Sequence, residues 1–286
     1  MSDRARNAIL GALVGDAAAL GLHWIYDTDE ARRRGGSTPE FHGPARYHLR
    51  RRAGDFTHYG DHAMVVLESL AERGRLDLDD YKSRMLARFG DPAYEGYLDK
   101  ATKSLLATGK GADDDQAGCF SKIAPIVARY LDDPELDARV EAAIRVTHDH
   151  PQAVACGLAA ATAIRAAILG ANPHGAVAAV AERGGEAGKL ARLALDGPPD
   201  PIAFAVKTGQ ACAVGQALPV ALHAALHGPD FAESARATIR AGGDSAGRLL
   251  VTGAIRGATD GVPDAWVKRI AERPRMDALL DRLLRL

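Results

Sequence analysis

The sequence predicts an all-α fold, a single compact multi-helix domain over residues 1–286, and three observations carry that prediction. Apolar residues recur at helical spacing nearly everywhere, no alternating run of strand length occurs, and the stops between periodic segments are short. Composition agrees. Hydrophobic residues make up 47% of the chain but aromatics only 5%, so the core is built from Ala, Leu, Val and Ile, with small residues that let helix backbones approach closely.

In chain order, Ile9, Leu10, Leu13, Val14, Ala17 and Leu20 share one helical face and define a first helix within the stretch from Arg4 to Trp24. Residues 26–55 are polar, Arg-rich and without a sustained period, which predicts a long loop of the kind that is functional or disordered. Met64, Leu67 and Leu70 mark the next helix. Further helices are expected over 81–89, 93–106, 119–131, 134–146, 152–170, 173–182, 186–195, 201–226, 229–240, 246–259 and 263–284. Their stops are GDP at 90–92, LGANP at 169–173, DGPPDP at 196–201 and HGPD at 227–230.

Charge narrows the function classes. With 36 basic and 37 acidic residues the net charge is −1, which leaves no global field to draw nucleic acid or an anionic membrane. The most apolar run, residues 153–171, is interrupted by Arg165 and too poor in Leu, Ile and Val for a bilayer span. No signal-peptide cleavage pattern follows the first helix. Cys119, Cys156 and Cys212 are odd in number and widely spaced, and they read as reduced core residues. The expectation is a soluble cytoplasmic protein.

Two stretches share one layout of glycine, aspartate and apolar helix: GDFTHYGDHAMVVLESL at 54–70 and AGGDSAGRLLVTGAIRGA from 241. Asp61 and Asp244 each stand where a helix begins, and the plain reading of either is a cap accepting from first-turn amides. Taken together, two carboxylates from distant parts of the chain, with the Ser245 hydroxyl, have the oxygen chemistry of a hard cation such as Mg²⁺. His58, His62 and Tyr59 add proton-transfer groups or ligands for a softer metal, with Asp61, His62 and Asp244 as the set for Mn²⁺, Fe²⁺ or Zn²⁺. No His/Cys spacing matches a zinc site. Thr147 to His150 precede Pro151 as a helix start. Asp113 to Asp115 read as a solvated turn, and Arg50 to Arg52 as a solvated face with phosphate contact as the alternative.

Across nearly its whole length the chain resembles the ADP-ribosylglycohydrolase family. The family's opening GALLGDALG is similar to GALVGD from Gly11 to Asp16, and its YTDDTQMALALAESL to HYGDHAMVVLESL. Its TH-x-HP-x-A is present from Thr147 to Ala153, its MRVAPL resembles SKIAPI at 121–126, and its GGDTDTIAAIAGAIAGA…IP..W resembles residues 242–266. The resemblance implies an all-α domain whose active members use two Mg²⁺ ions to cleave a bond at the anomeric carbon of ADP-ribose. Carried onto this sequence, it makes Asp61, Asp244 and Ser245 the metal ligands and Asp61, His62, Asp244, His58 and His23 the catalytic groups. Asp16, Tyr59, Lys122, His148, Gly242 and Gly243 would face substrate.

The sequence departs from the family where the ions would sit. Tyr59 and Gly60 replace the first two positions of T-D-D, and Ala246 and Gly247 replace later ligands. His23 aligns with an acidic residue, and Lys122 turns a forked arginine contact into a point charge. Mg²⁺ holds roughly six oxygens, so at most one ion is expected. These changes resemble the branch that includes the lens J-crystallins. The expected function is hydrolysis of an N- or O-glycosidic bond in an ADP-ribosyl or related substrate at an altered metal site, acting on a small molecule or an ADP-ribosylated partner, with no nucleic acid and no membrane. The alternative is a catalytically inactive ligand-binding or structural, crystallin-like member of the same fold.

Overall fold

Two helices from opposite ends of the chain lie at the centre of the computed structural model, which describes residues 3–285. In order, the helices are α1 (Asp3–Ala19), α2 (Thr28–Gly35), α3 (His58–Arg73), α4 (Leu78–Gly90), α5 (Lys100–Thr108), α6 (Ile123–Arg129), α7 (Leu136–Arg145) and α8 (Pro151–Ile168). They continue as α9 (Pro173–Arg183), α10 (Gly185–Leu195), α11 (Pro201–Thr208), α12 (Val214–His227), α13 (Phe231–Arg240), α14 (Ser245–Asp260), α15 (Asp264–Val267) and α16 (Arg273–Leu284). A 3₁₀ turn, Ala117–Lys122, leads into α6. Among the described residues the only β pairings are isolated bridges, so the fold is all-α as the periodicity predicts.

Small residues explain how α1 and α14 meet. A Cβ on Gly11 would sit 2.0 Å from the Gly253 carbonyl oxygen, and one on Gly257 would sit 2.2 Å from that of Asn7. The two backbones therefore touch directly and run antiparallel, with Gly15 against Leu249 at the near end. Close backbone contact of this kind is open only to glycine. The crossing brings the end of α1 to the start of α14. Among the described residues, helix α8 alone is long and apolar enough to suit a bilayer, contrary to the expectation from its low Leu, Ile and Val content, and 61% of that stretch is buried inside the protein. One large core cluster runs through the helices, with a small satellite formed by Phe204, Ala205, Val220 and Ala241.

Four differences from the sequence expectations have local causes. Within the expected loop over 26–55, Asp27 caps α2 by accepting from the amides of Asp29 and Glu30. Only Ala31 and Gly35 of that helix are buried, so it has no apolar period to detect. The helix expected over 201–226 is two, because Gly209 takes φ +127°, outside the range of side-chain-bearing residues. The helix expected over 263–284 is also two, parted where the Ala271 amide donates to the Gly54 carbonyl. Finally, α5 starts at Lys100 and not at 93, since Asp99 caps it by accepting from the Thr102 amide at 2.7 Å.

Candidate functional site

Asp244 is set by the two glycines before it. Gly242 and Gly243 take φ of +71° and +67°, and a Cβ on Gly243 would lie 2.2 Å from the Gln210 carbonyl oxygen. The turn they make is clipped to the end of the first segment: the Trp24 amide donates to Gly243 O and the Gly243 amide to Ile25 O. Asp244 then caps α14, accepting from the Gly247 amide at 3.1 Å, so the plain cap reading holds for it. The cap is not all it does. Its other carboxylate oxygen lies 3.4 Å from the Tyr59 hydroxyl, and His23 Nδ1 stands 3.6 Å from Oδ1. Behind it the fully buried Arg248 guanidinium donates to the carbonyls of Asp244 and Gly242. Burial pushes the Asp244 carboxyl up, against the pull of Arg248. Burial also drives the His23 imidazole well below its ordinary range.

A second cluster surrounds Asp99, a residue the sequence reading placed inside a helix and passed over. Its Oδ2 lies 3.7 Å from His58 Nε2. Burial would raise its carboxyl, but the imidazoles of His58, His62 and His148 outweigh that and hold it well below the carboxylate range. Those imidazoles are fully buried and each is pushed down to about 3, chiefly by burial. They are neutral near pH 7. His62 Nε2 pairs with the Thr102 hydroxyl at 3.0 Å, and His148 Nδ1 with the Thr147 hydroxyl at 2.8 Å. Neither ring nitrogen of His58 has a hydrogen-bond partner, nor does Nε2 of His148 or of His23. Lys122, lowered to about 8 by burial, donates to the Gly118 carbonyl at 2.7 Å. Tyr59 joins the two clusters: its ring lies 3.9 Å from that of His58 and its hydroxyl reaches towards Asp244.

The structure places the other predicted residues elsewhere. Thr57, not Asp61, caps α3. The Asp61 carboxylate accepts from Arg51 at 2.6 Å and from the Tyr94 hydroxyl at 2.7 Å, with Arg88 at 3.7 Å. Its partners are different from those of Asp244, which pairs with Tyr59 and His23. Arg51 is correspondingly no solvated residue, its side chain being only 13% exposed. Asp16 accepts from the Thr57 amide at 2.8 Å and hydroxyl at 2.5 Å, and it holds the start of α3 against α1. Burial pushes its carboxyl up to about 7, against those bonds. Ser245 is buried with an unpartnered hydroxyl. Cys119 and Cys156 are buried as expected, but Cys212 lies in a loop and takes a hydrogen bond from the Trp24 indole at 3.2 Å.

This donor set does not fit the expected ion. Asp61 is already balanced by arginines, Asp244 faces a buried Arg248, and no three His, Cys, Asp or Glu among the described residues are grouped to hold a metal. The softer set of Asp61, His62 and Asp244 fails for the same reason, since His62 belongs to the Asp99 cluster.

The model of the ADP-ribosylglycohydrolase family matches residues 1–286. The chain belongs to that family. Among other members, Crystallin J1A of Tripedalia cystophora is 28% identical, covering 93% of this chain and 92% of its own. Crystallin J1B of the same animal is 27% identical over 94% and 92%. An uncharacterized protein of Archaeoglobus fulgidus is 27% identical over 100% of this chain and 97% of its own. A solved structure titled an ADP-ribosylglycohydrolase-related protein complex superposes with TM-score 0.76 at 27% identity, covering 99% and 97% of the two chains. The ADP-ribosylglycohydrolase fold is thus shared along the entire length.

Proposed function

We propose that this family member hydrolyses an N- or O-glycosidic bond in an ADP-ribosyl or related substrate, using the carboxyl and imidazole groups of the Asp244 and Asp99 clusters. The observation that carries this reading is a set of deeply buried ring nitrogens without partners, Nε2 of His23 and both nitrogens of His58, on imidazoles whose Nδ1 (His23) and Nε2 (His58) stand beside a carboxylate. Buried polar atoms without partners cost stability and are kept where something else engages them. In the proposed step Asp244, whose carboxyl is biased towards its protonated form, gives its proton to the departing nitrogen or oxygen. The bond from that atom to the anomeric carbon breaks with its electron pair leaving on the heteroatom. Water forms the new C–O bond and loses a proton to His58, which Asp99 stabilises once charged. Tyr59 orients Asp244. Lys122 and Arg248 supply fixed positive charge, and no step runs through Mg²⁺. Free thiols at all three cysteines suit a reducing, cytoplasmic setting.

Release of ADP-ribose from arginine-linked, serine-linked and small-molecule substrates tests the reading. Asp244→Asn and His58→Ala are each expected to lose about 10²-fold or more in kcat/KM, and equal inertness of wild type and Asp244→Asn on every substrate ends the proposal. The similarity to the crystallins and the locking of Asp61 in ion pairs favour a second reading, a ligand-binding or structural protein without turnover. Calorimetry separates the two: saturable ADP-ribose binding with no product supports a binding protein, and no binding a structural one.

A further inference from the structure

Trp24, Tyr26, Tyr47, Tyr97, Gln116 and Cys212 line a cavity of about 190 Å³, room for a single ring. The Trp24 ring stands nearly perpendicular to Tyr47 at 4.9 Å (83°) and to Tyr97 at 5.0 Å (75°). Trp24 and Tyr47 hold their backbones at φ +63° and +58°. Large side chains rarely adopt that conformation, and such strain persists where the surrounding structure and a function require it. The floor is the candidate centre: Trp24 lies 4.1 Å from the His23 ring and 5.6 Å from His58, and its indole donates to Cys212 Sγ at 3.2 Å.

The wall chemistry selects the guest. None of the six lining residues carries a charge, and the Arg248 guanidinium behind them is engaged with the carbonyls of Asp244 and Gly242. A guanidinium or ammonium group would find no free carboxylate, and Lys103 already lies over Tyr97 at 5.5 Å. Gln116 spends only its backbone on the fold, through the Asp114 carboxylate and the Cys119 amide, which leaves its carboxamide free to donate and accept. Aromatic faces with one free carboxamide match a flat ring that bears an amide or amino edge.

We propose that this cavity is the leaving-group subsite and takes an uncharged, flat heteroaromatic ring with an amide or amino edge, such as a nucleobase or a pyridine carboxamide. The assignment rests on the hydrolase reading for its orientation, but its test does not depend on turnover. The chain has two tryptophans, and Trp266 packs separately against Phe41 and Phe231, so Trp266→Phe leaves Trp24 as the sole indole reporter. Should that variant not fold, wild type with Trp24→Phe as the blank gives the same signal. Nicotinamide is expected to quench Trp24 saturably, in the presence of ADP-ribose as in its absence, and Gln116→Ala to weaken it about tenfold. Saturation by tetramethylammonium or agmatine without a response to nicotinamide overturns the proposal. So does displacement of nicotinamide by ADP-ribose, or an unchanged affinity in Gln116→Ala. A chain inert as a hydrolase can pass this test and an active one can fail it, so the two proposals fall separately.

Discussion

Replacing Arg51 by Met would leave the Asp61 carboxylate buried with Tyr94 and the more distant Arg88. Breaking a buried pair from one side costs about 3–5 kcal/mol, and urea denaturation should show a loss of that order, largely recovered in the double variant Arg51→Met/Asp61→Asn. Asp61→Asn alone should retain activity that Asp244→Asn loses, as Asp61 is engaged by Arg51 and Tyr94 and not by His23 or Tyr59. Sequence could not distinguish these two aspartates, because Gly-Asp before an apolar helix is the same string in both places. The partners that separate them, Arg51, Tyr94 and Arg248, lie on other elements or one turn along. Asp99 was hidden differently: its capping of α5 falls within a stretch whose apolar period runs on past it. Histidines 58 and 62 were singled out by their crowding with Asp55 and Asp61, and His23 and His148 only by the family resemblance. What they surround was not legible.

The crossing of α1 on α14 is the element that carries the site. Gly11→Ala or Gly253→Ala would drive a methyl group to within 2.0 or 2.3 Å of a carbonyl oxygen, and the helices would have to separate. Overpacking of this kind costs about 1–3 kcal/mol or more, so a lower melting temperature is expected together with a loss of activity larger than stability alone explains. Close helix packing was readable from the small-residue composition of the chain. Which helix faced which was not, because the contact is non-local. The missed α2 shows the converse limit. Its cap was in the sequence at Asp27, but a helix with two buried residues leaves no periodic trace.

At the scale of the molecule, six buried imidazoles set the response to pH. His48 is pushed down to about 2, His58, His62 and His148 to about 3 and His223 to about 4, with His23 also lowered, each mainly by burial. A folded-state value below the unfolded one stabilises the protein fully above about pH 6.5 and is lost as pH falls towards 3. Each histidine titrating only in the unfolded chain contributes up to about 1.4 kcal/mol per pH unit. Asp16, raised to about 7, has the opposite sign: its contribution is present below about pH 4 and lost as pH rises through 7. Asp61, raised to about 6, and Asp244 and Asp114, also raised, share that sign, so four carboxyls offset part of what the histidines lose. With more histidines than carboxyls, melting temperature should fall between pH 6.5 and 4, and His48→Phe, which removes an imidazole with no hydrogen-bond partner, should flatten the slope. Because the donors do not fit an ion, EDTA and Mg²⁺ should leave the melting temperature unchanged.

Helix α1 is made within the first twenty residues, and the helix it grips starts only at Ser245. During synthesis the face of α1 that meets α14 waits uncovered after other partners of α1, α3 among them, have been made. A ribosome that stalls before Ser245 would thus release a chain in which that face of α1 stays bare, fit for chaperones or proteases.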